Sequence, residues 1–339
     1  MRTYENLRRM LHTFVLLLCF VAVFTSCSEN DDPSGDYLKI AIAWRADADN
    51  EFCTNVVNAF AEAGVEVVML NQLKAPYVQY DGDNVAATCI DSEGVGFLSQ
   101  EYGSKVKNFT YEGSNVAEIM QGVDAVIFTG GEDISPTLLA VPQDWHHIVE
   151  EIDYNAARDV SDFLTMSYCL DNDIPLMGFC RGAQMLGVVS GATIIQDIPA
   201  WFAEQGLAYN YEHRREKAEG ETYRDYVPHS VTLAEDSKLA EFYSTTTLTK
   251  CPSWHHQAIL STDGTPLRVT ATAVESGVET IEGVERTDKR CAIAVQFHPE
   301  AAVVKHLGKA VNNDNADQFM SYDEGMRIFK SFVVACNNK

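Results

Sequence analysis

Apolar positions along this chain recur at two periods. Tyr37–Trp44 (YLKIAIAW) alternates and predicts a strand. Asn55–Ala63 places Val56, Val57, Phe60 and Ala63 on one helical face, and Gly64 follows as a stop. Val65–Leu70 returns to a strand pattern. This strand–helix–strand spacing predicts a parallel pair with a crossover helix. Asn71–Ser114 breaks the rhythm. It is rich in Gly, Asp, Tyr and Asn and long for a loop, so it reads as an insertion, with a small hairpin near the active site. A short helix over Asn115–Gln121 and a strand over Asp124–Thr129 then lead to Gly130-Gly131. A long helix, about Ile148–Leu170, precedes a strand over Ile174–Phe179, and another helix starts at Arg181. β-like runs follow at Ser230–Leu233, Arg268–Ala273, Val278–Glu282 and Cys291–Phe297. The last helix follows Ser321, which forms a capping box with Glu324; Met326, Phe329, Val333 and Cys336 share its inner face. No internal repeat appears. The pattern predicts an α/β fold, a doubly wound and mostly parallel sheet with an antiparallel portion.

The first residues read differently. Arg2, Arg8 and Arg9 precede an uncharged run, Phe14–Phe24, too short to span a bilayer as a mature helix and suited to the apolar core of a signal peptide. Phe24-Thr25-Ser26-Cys27 resembles a lipobox, in which residues 1–26 are removed and Cys27 is lipidated. The competing reading is an ordinary signal peptide with an incidental cysteine. Residues 27–36 then form an acidic, solvated tether, and 37–339 form one domain. The expected location is the cell envelope, lipid-anchored, on the periplasmic or outer face of a bacterial outer membrane. The net charge is −24, and loss of the leader's three arginines and one glutamate takes it to −26. So acidic a body repels phosphate backbones, which argues against nucleic-acid binding. Of the nine cysteines, Cys19 lies in the leader and Cys27 is the lipidation candidate. No Cys/His cluster with zinc spacing appears among the others, and any disulfide pairing is unreadable.

The chemistry centres on Gly178-Phe179-Cys180-Arg181-Gly182, at a junction between strand and helix. A sharp turn there crowds the backbone on both sides of its central residue. Glycines two positions either side relieve the crowding, as in a nucleophile elbow. The turn presents the sulfur at a helix N-terminus, where the dipole stabilises negative charge. A packed core cysteine in a glycine-rich turn is the competing reading. A thiol needs a base, and Ile293–Glu300 (IAVQFHPE) supplies a candidate. Its strand ends at Phe297, and in an extended segment His298 and Glu300 both face the cleft: His298 takes the proton and Glu300 orients it. The backbone N–H of Arg181 and of Gly131 are the expected oxyanion donors.

These residues carry a resemblance. The elbow with Gln184, "GGEDISP" (130–136), Arg158-Asp159, "HSV" (229–231), "SWHHQA" (253–258), "GVETIE" (277–282) and "VQFHPE" (295–300) together resemble class I glutamine amidotransferase domains. Finer features resemble the peptidase C26 branch of γ-glutamyl hydrolases, γ-glutamyl-γ-aminobutyrate hydrolases included. The resemblance implies a flavodoxin-like sheet, a Cys180–His298–Glu300 triad and γ-glutamyl amide hydrolysis through a thioester on Cys180. It implies no metal or organic cofactor. Gln184, His255 and His256 would line the pocket; as structural residues, Gln184 is a polar helix position and the histidines a hydrogen-bonded turn. The implied partners are a small γ-glutamyl substrate, no nucleic acid, a membrane through the lipid anchor, and room for a homodimer. Pro252 stands where the family has Asn, and Asn155 where it has Asp; both departures bear on substrate choice. Two other classes fit the same motifs: a glutaminase subunit feeding an amidotransferase, and a non-catalytic binding lipoprotein on this scaffold.

Overall fold

The computed structural model describes residues 38–143 and 153–337. The chain runs β1 (Ile40–Ile42), α1 (Glu51–Glu62), β2 (Val68–Met69), the hairpin β3 (Tyr80–Asp81) and β4 (Asn84–Val85), α2 (Gln100–Phe109), α3 (Val116–Ile119) and β5 (Ala125–Phe128). It continues through α4 (Ala156–Asp171), β6 (Leu176–Phe179), α5 (Arg181–Ser190), β7 (Thr193–Ile195), α6 (Ile198–Glu204), β8 (Val227–Leu233), α7 (Lys238–Tyr243), β9 (Thr247–Ser253) and β10 (Ala258–Ser261). It ends with β11 (Leu267–Glu275), β12 (Val278–Arg286), β13 (Ala292–Val295), α8 (Pro299–His306) and α9 (Tyr322–Asn337).

Among the described residues, nine strands form one sheet in the order β2-β1-β5-β6-β13-β12-β11-β8-β9. The pairings from β2 to β13 are parallel; those from β13 to β9 are antiparallel. The fold is therefore α/β with a mixed sheet, and its antiparallel portion is one whole half. Strands β1, β5, β6 and β13 are buried along their full length. Buried parallel strands need apolar residues on both faces, which is why they read as continuous apolar runs. Ala41, Val126, Phe128 and Leu176 point to one face, where α4 and α5 pack. Ile40, Ile42, Ile127, Phe179 and Val295 point to the other, against α1, α8 and α9.

Register places the chemistry. Phe128 pairs with Gly178, and Phe179 pairs with Val295. Gly130-Gly131, Cys180 and His298 therefore leave three adjacent parallel strands at the same end. Ligand sites of open α/β sheets form there.

Some expected boundaries move. The long helix begins at Ala156, because Asn155 caps it by accepting from Arg158 N at 3.1 Å; residues 148–152 of the expected span lie outside the described residues, as do Cys27 and the whole leader. The segment 71–114 holds the expected hairpin, but also helix α2 and the buried core residues Leu73, Val78, Cys89, Leu98 and Val106. Its place differs from expectation. Leu98 N donates to Ser135 Oγ at 2.9 Å, Thr137 Oγ1 donates to Leu98 O at 2.8 Å, and Gly103 lies flush on Thr137. The segment braces the back of the 130–139 turn and contributes nothing to the cleft lining.

Candidate active site

Cys180 joins β6 to α5 with φ 49° and ψ −103°, outside the regions open to most L-residues. Such a conformation costs on the order of 1–3 kcal/mol and persists only where the surroundings enforce it. Here they do. A Cβ on Gly178 would stand 2.6 Å from the Gly182 carbonyl carbon, and one on Gly182 would overlap the Phe128 carbonyl oxygen. Cys180 N donates to Val295 O at 2.8 Å, tying the turn to β13. The sulfur sits at the N-terminus of α5, 3.9 Å from the Trp254 carbonyl oxygen, and faces a cleft of about 950 Å³.

His298 follows β13 and is fully buried. Its Nδ1 lies 2.6 Å from Glu300 Oε1, and its Nε2 has no hydrogen-bond partner. Its backbone N–H donates to Pro252 O at 2.8 Å, so the departing Pro252 serves as an acceptor. Phe52 stacks on the imidazole at 5.1 Å and Tyr226 meets it edge-on at 5.2 Å. Burial opposes protonation of the ring, but the Glu300 carboxylate and the Cys180 sulfur outweigh it and raise its pKa to about 10. One local expectation needs correction. Glu300 is not in an extended segment; it lies in the first turn of α8, where Pro299 presets helical geometry. It faces His298 from behind, not the cleft.

The Gly130-Gly131 turn ends beside this pair. Gly131 has φ 146°, and a Cβ there would overlap the Arg158 guanidinium. Arg158 is fully buried under the turn, and donates to Gly130 O at 2.8 Å and Thr129 O at 3.2 Å. It also pairs with Glu132 at 2.5 Å and Asp162 at 3.3 Å. Arg181, the first residue of α5, points its side chain away from the cleft. It pairs with Asp159 at 2.6 Å and Asp162 at 2.5 Å. One carboxylate of α4, Asp162, thus anchors Arg181 directly and, through Arg158, the turn that carries Gly131. Burial raises the Glu132 carboxyl, but the Arg158 and Arg181 charges win and hold it at about 2.

Three further residues were expected in the pocket, and all line the cleft. Gln184 donates to Gln257 O at 3.0 Å and Gln296 Oε1 at 3.3 Å. His256 bridges Asp197 at 3.0 Å and Asp133 at 2.9 Å. Against burial, that pair of carboxylates raises its pKa to about 9, so it is a cation that clamps two loops. His255 turns inward, its Nδ1 2.9 Å from Gln257 O.

Sequence reasoning missed much of the lining. Arg214 and Arg224 stack on the Trp254 ring at 5.6 and 5.9 Å, and Tyr223 donates to Glu51 Oε1 at 2.9 Å. The Tyr226 hydroxyl is buried without a hydrogen-bond partner. Only the polar, highly charged composition of 211–224 could have flagged this loop. Acidic Glu51, Glu132, Asp133, Asp153 and Glu221 line the cleft together with basic Arg214, Lys217 and Arg224.

The family model of Peptidase C26 matches residues 84–300, from the hairpin to Glu300. The chain belongs to the Peptidase C26 family. A glutamine amidotransferase-like protein of Rickettsia prowazekii is 26% identical over 218 residues, 56% of this chain and 75% of the relative. Protein NtpR of Enterococcus hirae is 30% identical over 182 residues, 52% of this chain and 67% of the relative. A solved Thermotoga maritima glutamine amidotransferase superposes with a TM-score of 0.47 at 13% identity, covering 89% of this chain and 99% of that one. This Peptidase C26 protein therefore has a function of the hydrolase or amidotransferase type.

Proposed function

We propose that the protein hydrolyses γ-glutamyl amides, with Cys180 as nucleophile, His298 as acid–base and Glu300 as the group that orients it. The observation that carries this is the strained Cys180 elbow beside a buried His298–Glu300 pair whose outer nitrogen has no other partner. The sulfur attacks the side-chain carbonyl. His298 holds the thiol proton and hands it to the departing amine, leaving a γ-glutamyl thioester. Water, deprotonated by the same imidazole, then attacks the thioester, and glutamate or a glutamyl-terminated product leaves. The N–H groups of Gly131 and Arg181 receive the developing oxyanion. The glutamyl end is a zwitterion, and a cleft lined by both acidic and basic groups suits it. The proposal extends to the leader: Cys27 carries lipid and tethers residues 37–339 to the envelope, where γ-glutamyl peptides, γ-D-glutamyl wall links and polyglutamates are the accessible substrates.

The test uses Ser28–Lys339 and its Cys180→Ala variant, offered γ-glutamyl amides, γ-glutamyl peptides, polyglutamates, γ-D-glutamyl muropeptides and free glutamine. Amine release is followed by mass spectrometry. Turnover by the parent alone supports the hydrolase. Turnover of glutamine only, rising when a partner is added, would mark a glutaminase subunit. Silence, with a thiol that alkylates no faster than free cysteine, would leave a binding protein.

A further inference from the structure

Behind the wall of the cleft lies a second cluster, which the proposed chemistry does not use. His213, His229, His255, Glu275 and Glu282 are all buried together. His213 Nδ1 lies 3.1 Å and His255 Nε2 3.4 Å from the same atom, Glu282 Oε1. His229 Nε2 lies 3.6 Å from Glu282 Oε2. Despite these distances, none of the four facing groups is aligned for a hydrogen bond. His213 Nδ1, His229 Nδ1 and Nε2, His255 Nε2 and both Glu282 oxygens have no partner. A buried polar atom left unpaired costs about 1–3 kcal/mol, and more if it is charged. Six together demand an explanation.

Hydrogen bonding at the outer nitrogens sharpens the problem. His255 Nδ1 faces the Gln257 carbonyl at 2.9 Å, which can only accept, so Nδ1 carries the proton. Thr280 Oγ1 donates to Ala273 O at 3.2 Å and so accepts from His213 Nε2 at 3.3 Å. In its neutral form each imidazole therefore turns a lone pair toward the Glu282 carboxylate, itself an acceptor. Three acceptors converge with no donor between them. That is the arrangement of metal ligands whose outer N–H groups are fixed by a carbonyl or hydroxyl.

The distances agree. Ligands bound to zinc at about 2.0–2.1 Å in a tetrahedron lie about 3.3 Å apart. His213 Nδ1, His255 Nε2 and a Glu282 oxygen all lie within 4.8 Å of one another. We propose that His213, His255 and Glu282 bind a structural divalent zinc ion. Nitrogen and carboxylate donors in a tetrahedron select zinc over magnesium or calcium, which want more oxygens. The ligands come from a loop, a turn and β12, spread over 70 residues, so no local spacing betrays them. The ion ties the 206–226 loop to the sheet. His213 O already accepts from His255 N at 3.1 Å and Ser253 Oγ at 2.7 Å, and zinc completes that junction. Trp254, between these residues, supports Arg214 and Arg224 at the mouth. The site is independent of the hydrolase reading.

The full-length chain carrying Cys180→Ala, expressed with zinc and purified in detergent, tests this. The substitution removes the Cys180–His298 pair, a thiol and an imidazole that could also hold zinc. One zinc per chain should survive gel filtration, and X-ray absorption should show a nitrogen and oxygen shell at about 2.0 Å, with imidazole scattering and no sulfur. His213→Ala, or the isosteric Glu282→Gln, should lower retained zinc at least tenfold, with circular dichroism reporting the fold. Absence of zinc from the folded Cys180→Ala chain would overturn the proposal. So would a sulfur shell, or undiminished zinc in a folded Glu282→Gln variant. If the ligand variants do not fold, the absorption shell of the parent decides alone.

Discussion

Arg158 offers the clearest test of how the Gly130-Gly131 turn is held. Five groups form the ionic layer beneath it: Arg158, Arg181, Glu132, Asp159 and Asp162. Arg158→Met keeps the bulk and removes the charge. It leaves the Glu132 carboxylate without its 2.5 Å partner and deprives the carbonyls of Thr129 and Gly130 of their donor. An exposed pair would be worth about 0–1 kcal/mol. Arg158 is fully buried, so breaking its pairs should cost about 3–5 kcal/mol. A domain of about 300 residues unfolds with an entropy near 0.6 kcal/mol/K, so the melting temperature should fall by about 5–8 °C. Gly131 lies on the guanidinium, so its N–H shifts too, and kcat should fall about 10²–10³-fold with KM nearly unchanged. Arg158→Lys should fall between, since an ammonium keeps the charge but not the forked contacts. Differential scanning calorimetry and steady-state kinetics on whichever member of the γ-glutamyl panel the parent turns over decide it. A fall below about 2 °C with full kcat would refute the idea that this charge supports the turn.

Other outcomes follow from the same geometry. Cys180→Ala should abolish turnover, His298→Ala should cost about 10³–10⁴-fold in kcat/KM and Glu300→Gln about 10²-fold; equal losses for the last two would mean Glu300 does more than orient the ring. Gly182→Ala should lose activity and at least about 2 kcal/mol of stability, because its Cβ meets the Phe128 backbone, which has no rotamer to yield; a fully active variant would show the elbow is not tight. His256 has a folded pKa of about 9 against about 6.5 unfolded. Its contribution is therefore complete below pH 6.5 and is lost as pH rises through 9, at most about 3 kcal/mol. Urea midpoints of the parent should fall over that window, and those of His256→Gln should not; parallel curves would sink the assignment.

The parallel half of this molecule was legible because buried strands and their helices leave long apolar runs, and because a glycine-flanked cysteine has few structural uses. The elbow, Gly131 and the His298–Glu300 pair were found this way. The helix of 100–109 was not. Its polar face and the surrounding Gly and Tyr hid a single buried strip, which acquires meaning only against Ser135 and Thr137. Strands β9 and β10 were missed for a related reason: β9 carries Pro252, and β10 is four residues long. Two of the expected pocket histidines proved to differ in kind. His256 clamps two carboxylates at the cleft, whereas His255 turns its ring toward Glu282, and no one-dimensional pattern separates adjacent histidines. The cleft rim from 211 to 224 has no regular period, so its role emerges only when Trp254 gathers its arginines.

The placing of 71–114 divides labour within the molecule. This stretch grips the active-site turn from the rear, while the opening toward solvent is framed by 211–224. Novelty behind the turn alters how stiffly the machinery is mounted; novelty at the rim alters what is admitted. A lineage could therefore rewrite its diet through one short loop and its heat tolerance through another, distant segment, with neither change disturbing the other.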